Sequence, residues 1–377
     1  MKPFSRRYDD LEKEIFPNRA LIIYGPRRVG KTCLINRFIS KRTEKILYRT
    51  GEDLELRNIL ESQSVKKIQA AFSDYDYVII DEAQKIDRIG QGLKIALDHL
   101  PNVQFIATGS SSFELAHQVG EPLTGRKIEL TLYPLSTYEL KSQFGGMDVM
   151  DDLDTRLVFG SYPEIMQTQN SEHKATLLKE LRDSYLYKDI LELDGIRHSR
   201  KINDLLSLIA YQVGKEVSLH ELGTQLGMDK RTVERYLDLL EKAFVVINVR
   251  GFSRNLRKEV TKTSRYYFLD NGVMNAVINN FHPLSMRNDS GLLWENFLFM
   301  ERLKFRSYTN LYASMHFWRT YDRQEIDLIE EHSGNLFGYE FKHSPRKIPK
   351  APAAWRKAYP DAEYHVINRD NWLEFTS

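Results

Sequence analysis

The sequence is poor in cysteine, with a single Cys33 among its 377 residues. One cysteine can form neither an internal disulfide bond nor a zinc cluster of several thiolates, which favours a cytoplasmic protein. Long apolar runs are also missing, since none approaches the roughly 18 residues that a membrane-spanning helix needs. The first residues, MKPFSRRYDDLEKEIF, lack the apolar stretch of a signal peptide. We therefore expect a cytoplasmic protein that does not engage a membrane.

An excess of charge of either sign is missing as well. The chain has 54 lysine and arginine residues against 52 aspartate and glutamate residues, which leaves a net charge of +2. This balance excludes a uniformly basic nucleic-acid coat, although local basic patches are compatible with it. Apolar residues make up 42% of the chain and aromatic residues 11%, enough for several buried cores. At about 150 residues per domain, the length predicts two to three domains.

The hydrophobic pattern changes twice along the chain. Residues 20–132 alternate short apolar runs with helical stretches, which is typical of an α/β fold. Residues 134–288 have a mostly helical pattern, and a long helix followed by short strands is predicted after residue 290. The predicted boundaries are the loop at residues 145–146, with the acidic run that follows it, and the polar stretch at residues 287–291.

The strongest motif is a glycine-rich segment at residues 25–32, GPRRVGKT, which fits the pattern G-x-x-x-x-G-K-[ST]. The flanking patterns predict a buried strand before it and an amphipathic helix after it. Backbone N–H groups of such a loop close around phosphate oxygens, and the helix N-terminus adds positive potential. We expect Lys31 to contact the β- and γ-phosphates of ATP and Thr32 to bind Mg²⁺. The predicted nucleotide-binding residues are Gly25, Pro26, Arg27, Arg28, Val29, Gly30, Lys31, Thr32 and Cys33.

Two acids follow a second apolar run. Residues 77–80 read YVII, and Asp81 and Glu82 come directly after them. Ligands of open α/β sheets bind at the carboxyl ends of the strands, so both acids should lie beside the phosphate loop. We expect Asp81 to hold Mg²⁺ through water and Glu82 to act as the general base towards the attacking water.

A third apolar run, residues 103–107, ends in the hydroxyl-rich segment TGSSS. We expect Ser110, with Ser111 as second choice, to point at the γ-phosphate or the attacking water; the alternative is a turn and helix N-cap. Arg126, in the segment LTGR, is predicted to sense the γ-phosphate or to reach the nucleotide of a neighbouring chain, as arginine fingers do. The alternative is a surface arginine at the start of a strand.

The segment 217–242 predicts two short helices around a tight turn at residues 227–229, the spacing of a helix-turn-helix. Two wing strands are predicted near residues 244–249 and 266–269. Six basic residues, among them Arg265, and one acidic residue lie between positions 250 and 265, which favours contact with DNA phosphates. A domain spacer or a protein-contact module is the alternative. The DNA-binding candidates are Lys230, Arg231, Arg235, Arg254 and Arg257.

Acids and a lysine in the last part of the chain form a second predicted constellation. Glu295 lies on an amphipathic helix, Asp327 lies in the middle of a strand, and Glu340 and Lys342 share one face of the next strand because side chains alternate. This order resembles the PD-(D/E)xK nuclease fold. We expect Asp327 and Glu340 to hold a divalent metal, Lys342 to orient water, and Glu295 to support or join the metal site. The alternative is a domain that keeps the fold and only binds.

The motifs together resemble a widespread family of bacterial and archaeal AAA-type ATP-binding proteins of unknown function. The matching phrases are GPRRVGKT, IIDEAQ, TGSSSFEL, LTGR, GSYPE, RTVERYLDLLEKAFVV, FSRNLRKE, LWENF, EIDLI and YEFKH. The resemblance implies ATP binding and slow hydrolysis. It also implies an α/β multidomain chain: an AAA-type P-loop ATPase core with a parallel sheet (1–145), a helical lid or linker (146–205), a winged helix-turn-helix (206–288) and an α/β restriction-endonuclease-like domain (289–377).

The leading hypothesis is a cytoplasmic molecular switch or motor that depends on ATP and Mg²⁺ and engages nucleic acid, most directly DNA. An ATP-gated, metal-dependent DNA nuclease is the first alternative. A nucleotide-binding adaptor that uses the same domains to hold another protein is the second. A homo-oligomer and a separate protein partner are both compatible with the sequence.

Overall fold

A computed structural model describes residues 4–109, 122–183, 199–253, 264–344 and 348–377. It divides the chain into two units. The first unit ends at Pro134 and also includes residues 242–244, and the second unit comprises residues 135–241 and 245–377. The first unit therefore ends before residue 145, where the sequence pattern placed the end of the ATPase core. The predicted division into four domains stays a prediction.

A five-stranded parallel sheet with the order β2-β3-β4-β1-β5 forms the first unit's centre. Its strands are β1 (Ala20–Tyr24), β2 (Ile46–Thr50), β3 (Tyr77–Asp81), β4 (Gln104–Gly109) and β5 (Lys127–Thr131). All five residues of β1 are buried, as expected for a central parallel strand covered on both faces. The predicted α/β fold with a parallel sheet is confirmed here, and the carboxyl ends of β1, β3 and β4 lie side by side.

The described helices of the first unit flank this sheet. They are α1 (Lys31–Ser40), α2 (Leu54–Glu61), α3 (Val65–Phe72) and α4 (Ile89–His99), with short 3₁₀ helices at Leu11–Glu14 and Ala83–Lys85. Asp53 caps α2 by accepting the N–H groups of Glu55 and Leu56, and Ser64 caps α3, the residue types that helix N-termini favour. Buried residues of α2, α3 and α4 complete the apolar core under the sheet.

The second unit begins with short helices. They are α5 (Thr137–Phe144), α6 (Gly146–Asp151), α7 (Leu153–Phe159), α8 (Pro163–Gln167) and α9 (Ser171–Arg182). A capping box starts α5: the side chains of Ser136 and Glu139 each accept a hydrogen bond from the backbone N–H of the other residue. The acidic run at residues 148–154, which was predicted at a domain boundary, lies in and between α6 and α7. Its apolar residues Val149 and Leu153 are buried, and this burial favours helix over loop.

The helices predicted for the segment 217–242 are confirmed. The elements of this region are α10 (Ser199–Tyr211), β6 (Glu216–Val217), α11 (Leu219–Leu226), α12 (Lys230–Lys242), β7 (Val246–Arg250), β8 (Ser264–Phe268) and α13 (Asn271–Val277). Gly227 ends α11 with φ +59°, and the Asp229 carboxylate accepts the N–H of Thr232 in the first turn of α12. The strands form a sheet with the order β6-β8-β7.

A long helix and a four-stranded sheet close the second unit. The elements are α14 (Ser290–Thr309), β9 (Ser314–Arg319), β10 (Glu325–His332), β11 (Asn335–Phe341), α15 (Ala353–Ala358), β12 (Glu363–Ile367) and α16 (Trp372–Thr376). Strands β9, β10 and β11 are antiparallel neighbours, and β12 is parallel to β11. Strands β10 and β11, which carry Asp327 and Glu340, are therefore neighbours in this sheet, and Glu295 lies on α14 of the same unit. Within the described ranges, no helix has both the length and the apolarity to cross a bilayer.

Candidate functional site

The phosphate loop connects β1 to α1, and its shape depends on two glycines. Gly25 has φ +150°, and a Cβ atom there would lie 2.2 Å from the carbonyl oxygen of Leu132, so no larger residue fits this close approach. Gly30 has φ +99° and directly precedes α1, a backbone conformation that favours glycine. The loop thus leads into the N-terminus of a helix, where backbone N–H groups bind phosphate.

Two buried cations lie against this loop. The Lys31 ammonium donates to the carbonyl oxygens of Gly25 and Pro26 over 2.8 and 3.0 Å. The Arg6 guanidinium donates to the carbonyl oxygen of Val29 over 2.6 Å. Both side chains are buried, so their charge is little screened and favours an anion at the loop. Arg6 was not predicted as a site residue, because a single arginine before β1 belongs to no motif.

Asp81 is the centre of a hydroxyl network at the end of β3. Its Oδ2 accepts hydrogen bonds from Thr32 over 2.8 Å and from the Tyr48 hydroxyl over 3.0 Å, and the fully buried Thr108 hydroxyl donates to its Oδ1. Burial, together with the nearby Asp81, raises the pKa of Tyr48 to about 12, so this phenol remains a donor at neutral pH. Tyr48 and Thr108 were not predicted as site residues, although both lie at the expected edge of the sheet.

Glu82 follows Asp81 in a turn with φ +51°, a left-handed conformation that is uncommon for a residue with a side chain. Its N–H donates to Thr108 Oγ1 over 3.3 Å, and its Oε2 accepts from the Gln84 amide. Gly51 lies against the same turn, and a Cβ atom there would be 2.3 Å from the Glu82 carbonyl oxygen. Strained turns that their surroundings hold in place occur at functional sites, and this one fixes the carboxylate next to the hydroxyl network.

The oxygens of this site fit a magnesium ion bound together with a nucleotide. Thr32 offers a hydroxyl and Asp81 a carboxylate, and Mg²⁺ is held in proteins by such oxygens, by water and by substrate phosphates. The hydrogen bond between the two side chains brings these oxygens together before any ligand arrives. The site therefore combines phosphate-binding N–H groups, two cations, candidate Mg²⁺ ligands and an adjacent carboxylate.

Two further predicted residues of the ATPase site have different outcomes. Ser110, with Ser111, lies outside the described residues, so its role stays a prediction. Arg126 precedes β5, where its carbonyl accepts the N–H of Ala20, and its guanidinium pairs with Asp98. The phosphate loop follows the opposite end of β1, about 16 Å away for five residues at about 3.3 Å each. Contact of Arg126 with the γ-phosphate of its own chain is therefore wrong, and reach to a neighbouring chain stays a prediction.

The structure brings the four residues of the second constellation together. Asp327 on β10 and Glu340 on β11 lie on adjacent antiparallel strands, and the Phe341 N–H donates to Asp327 Oδ2 over 2.7 Å. Lys342 pairs with Glu340 over 2.6 Å. Burial, together with Glu295 and Glu340, raises the pKa of Asp327 well above its usual range. Burial acts to lower the pKa of Lys342, but the hydrogen bond to Glu340 and the negative charges of Glu340, Asp327 and Glu295 together outweigh burial, so the pKa is raised.

Two residues of β8 also enter this cluster. The Tyr267 hydroxyl donates to Glu295 Oε1 over 2.8 Å. Arg265 has only 2% of its surface exposed, and its guanidinium lies 2.9 Å from Glu325 and 3.9 Å from Glu295. Burial raises the pKa of Glu295 to about 7, and Arg265 opposes this shift. Arg265 was predicted to belong to an exposed basic wing; this is wrong for its side chain, because the carboxylates hold it inside.

The cluster does not fit a divalent metal as the sequence predicted. Glu295 accepts from Tyr267 and lies 3.9 Å from Arg265, Asp327 accepts from the Phe341 backbone and Glu340 pairs with Lys342, so that among the described residues Glu340 Oε2 is the buried oxygen of these three acids without a hydrogen-bond partner. Within the parts of the chain that the structure describes, no three histidine, cysteine, aspartate or glutamate side chains are arranged to hold a metal ion. The four predicted residues are thus neighbours, but each of the three carboxylates already has a hydrogen-bond or ion-pair donor within the protein.

The predicted DNA-binding residues divide into two groups. Lys230, Arg231 and Arg235 are exposed on α12, whose opposite face is buried through Val233 and Leu237 among others. Arg254 and Arg257 lie outside the described residues. The basic side chains of Lys230, Arg231 and Arg235 therefore lie on the solvent-exposed face of α12.

Comparison with protein families finds three matches along the chain. Residues 17–141 match the AAA domain, residues 150–284 match a domain of unknown function (DUF8612), and residues 290–376 match another domain of unknown function (DUF4143). The first match covers the phosphate loop, both acids of the β3 turn and the whole parallel sheet. Residues 17–141 are thus similar to the AAA domain, which supports ATP binding and hydrolysis by the first unit.

Similar proteins come from archaea and bacteria. An uncharacterized protein of Methanocaldococcus jannaschii is 26% identical over 311 residues, covering 78% of this chain and 68% of that protein. An uncharacterized protein of Mycobacterium tuberculosis is 25% identical over 348 residues, covering 91% of this chain and 74% of that protein. Among solved structures, the Walker-type ATPase of Pyrococcus abyssi is 19% identical with a TM-score of 0.49, covering 74% of this chain and 99% of that chain. The chain is therefore similar in sequence to uncharacterized proteins of archaea and bacteria.

Proposed function

We propose that this chain is a Mg²⁺-dependent ATP hydrolase that acts as a molecular switch or motor. The observation that carries the proposal is the hydrogen bond between Thr32 and Asp81, directly beside Glu82. It joins the helix that binds phosphate to the strand end that carries the acids, which is the arrangement a P-loop hydrolase requires.

Each residue of the site has a defined task in this function. Lys31 and the N-terminus of α1 bind the β- and γ-phosphates. Thr32 and Asp81 would hold Mg²⁺, which neutralises phosphate charge when it is bound. Glu82 accepts a proton from the attacking water, and the Thr108 and Tyr48 hydroxyls keep the Asp81 carboxylate in position.

The test is ATP turnover by the full chain with Mg²⁺ and with EDTA, in the parent and in the variant Asp81→Asn. Turnover that requires Mg²⁺ and is lost in Asp81→Asn supports the proposal. The matched control is Asp76→Asn, which changes a carboxylate just before the other end of β3 that accepts the Lys45 N–H. Equal turnover in the parent and Asp81→Asn would contradict the assignment.

We also propose that the second unit engages DNA through α12. The supporting observation is the exposed set Lys230, Arg231 and Arg235 on a helix that follows a tight turn and a shorter helix. A winged helix-turn-helix would use this second helix for DNA contact. Fluorescence anisotropy with a duplex oligonucleotide, with and without ATP, tests the proposal, and an absence of binding in both conditions favours the protein adaptor.

The nuclease alternative has weaker support. A nuclease of the PD-(D/E)xK type needs carboxylates that are open to a divalent metal, whereas Arg265 and Lys342 already pair with Glu325 and Glu340. A binding domain that keeps the nuclease-like order of helix and strands is the interpretation that these ion pairs favour.

A further inference from the structure

The acidic cluster of the second unit contains a cation supplied by a distant strand. Arg265 comes from β8 of the three-stranded sheet, whereas its carboxylate neighbours lie on α14 and β10. Its guanidinium pairs with Glu325 over 2.9 Å and lies above the Phe317 ring at 4.3 Å. An arginine cannot lose its proton in a protein, so a buried guanidinium is a permanent positive charge that needs these partners.

The other sides of the cluster are closed as well. The Glu295 carboxylate accepts from Tyr267, and Gly214 approaches it so closely that a Cβ atom there would lie 2.3 Å from Oε1. Asp327 accepts from a backbone N–H, and Glu340 pairs with Lys342. Few acceptor positions of these carboxylates are therefore left for a metal ion, which requires several oxygen ligands at once.

A second ion pair connects the same two sheets. Arg319 on β9 pairs with Glu216 on β6 over 2.8 Å. The backbone supports this connection, since the Phe252 N–H donates to the Phe317 carbonyl oxygen over 2.6 Å. Two ion pairs therefore connect the three-stranded sheet to the four-stranded sheet. In one pair the arginine belongs to the three-stranded sheet, and in the other it belongs to the four-stranded sheet.

We infer that Arg265, together with Lys342, supplies the positive charge that Glu295, Asp327 and Glu340 need, and that the ion pairs of Arg265 with Glu325 and Glu295 form an internal latch between the two sheets. Removal of the Arg265 guanidinium uncovers a divalent-metal site in Glu295, Asp327 and Glu340. Glu340 provides the first position for such an ion, because among the described residues its buried Oε2 has no hydrogen-bond partner. The inference does not depend on the ATPase activity of the first unit.

The test is Mn²⁺ binding to the nucleotide-free full chain, measured by electron paramagnetic resonance of free Mn²⁺. In the parent, the number of bound Mn²⁺ ions should not change when Asp327→Asn is introduced. Arg265→Met should gain one Mn²⁺ site, and the double variant Arg265→Met, Asp327→Asn should lose it again. The control is Arg319→Met. It removes an arginine that pairs with Glu216 over 2.8 Å and lies 4.0 Å from Glu325, but that forms no ion pair with Glu295, Asp327 or Glu340 among the described residues, so it should gain no site.

Two outcomes would overturn the inference: a parent Mn²⁺ site that disappears in Asp327→Asn, or a folded Arg265→Met chain that gains none. If Arg265→Met does not fold, thermal unfolding of the parent and of Asp327→Asn decides. The midpoint should respond equally to Mn²⁺ and EDTA in both chains. A stabilisation by Mn²⁺ that is present in the parent and lost in Asp327→Asn would instead identify a resident metal site.

Discussion

The Thr32 hydroxyl donates to Asp81 Oδ2 over 2.8 Å, although the two residues are 49 positions apart in the chain. One belongs to the first turn of α1 and the other to the last position of β3, so the bond connects the phosphate loop to the acidic end of the sheet. Both oxygens are suited to Mg²⁺. This connection turns two separate motifs into one site and is the basis of the first three predictions.

Lys31→Ala should weaken ATP binding by about 10- to 100-fold, since a hydrogen bond to a charged group contributes about 1.5–3 kcal/mol. Isothermal titration calorimetry with Mg²⁺ and ATP measures the change. Lys41→Ala is the matched control, because this exposed lysine directly follows the other end of α1 and should leave the affinity unchanged. An unchanged ATP affinity in Lys31→Ala would show that this loop does not bind the nucleotide.

Glu82→Gln should keep ATP affinity and slow turnover by about 10²- to 10⁴-fold, because the side chain keeps its shape and loses its basicity. Binding and steady-state turnover measured on the same preparation separate the two effects. Glu55→Gln, at an exposed position of α2, should turn over ATP like the parent. If Glu82→Gln hydrolyses ATP at the parent rate, another residue is the base.

Thr108→Val should lower the free energy of unfolding by about 1–3 kcal/mol, because Asp81 Oδ1 loses its hydroxyl donor and keeps only the 3.2 Å hydrogen bond from the Glu82 N–H. It should also slow ATP turnover, since Asp81 loses the hydroxyl that orients it. Urea denaturation and turnover assays check the two effects. Thr108→Ser, which keeps the hydroxyl, should restore turnover, and equal behaviour of the valine and serine variants would argue against an orienting role.

Arg231→Glu with Arg235→Glu should weaken DNA binding and reduce its dependence on salt, because fewer phosphate counterions are released. Anisotropy titrations at several salt concentrations give the slope. Arg323→Glu reverses an exposed arginine between β9 and β10 and serves as the control for net charge. A slope that stays the same in the double variant would exclude α12 as the contact surface.

Arg265→Met should lower the free energy of unfolding by about 3 kcal/mol, since it removes a buried cation and leaves the carboxylate of Glu295, 3.9 Å away, without this counter-charge. Arg319→Met should change it by less than about 1 kcal/mol, because its ion pair is partly open to solvent. Urea denaturation of both variants provides the comparison. Similar small losses in the two variants would show that Arg265 does not hold the sheets together.

The phosphate loop and the acids of β3 could be predicted from sequence, because each depends on a local pattern: an apolar strand, then glycines with lysine, or two carboxylates. The helix and strands that carry Glu295, Asp327 and Glu340 were predictable for the same reason. Thr108 and Tyr48 were harder to predict, since only the order of the strands brings their hydroxyls to Asp81.

The sequence by itself determined which segments become strands and helices and where phosphate can bind, because short-range hydrophobic periodicity and backbone geometry control both. The tertiary structure alone decided the partners of the charged residues. Arg126 lies away from the phosphate loop because of the parallel register of β5 with β1. Arg265 belongs to a basic stretch in sequence, yet it pairs with Glu325, 60 positions away, since a buried charge is stable only where the fold supplies an opposite one.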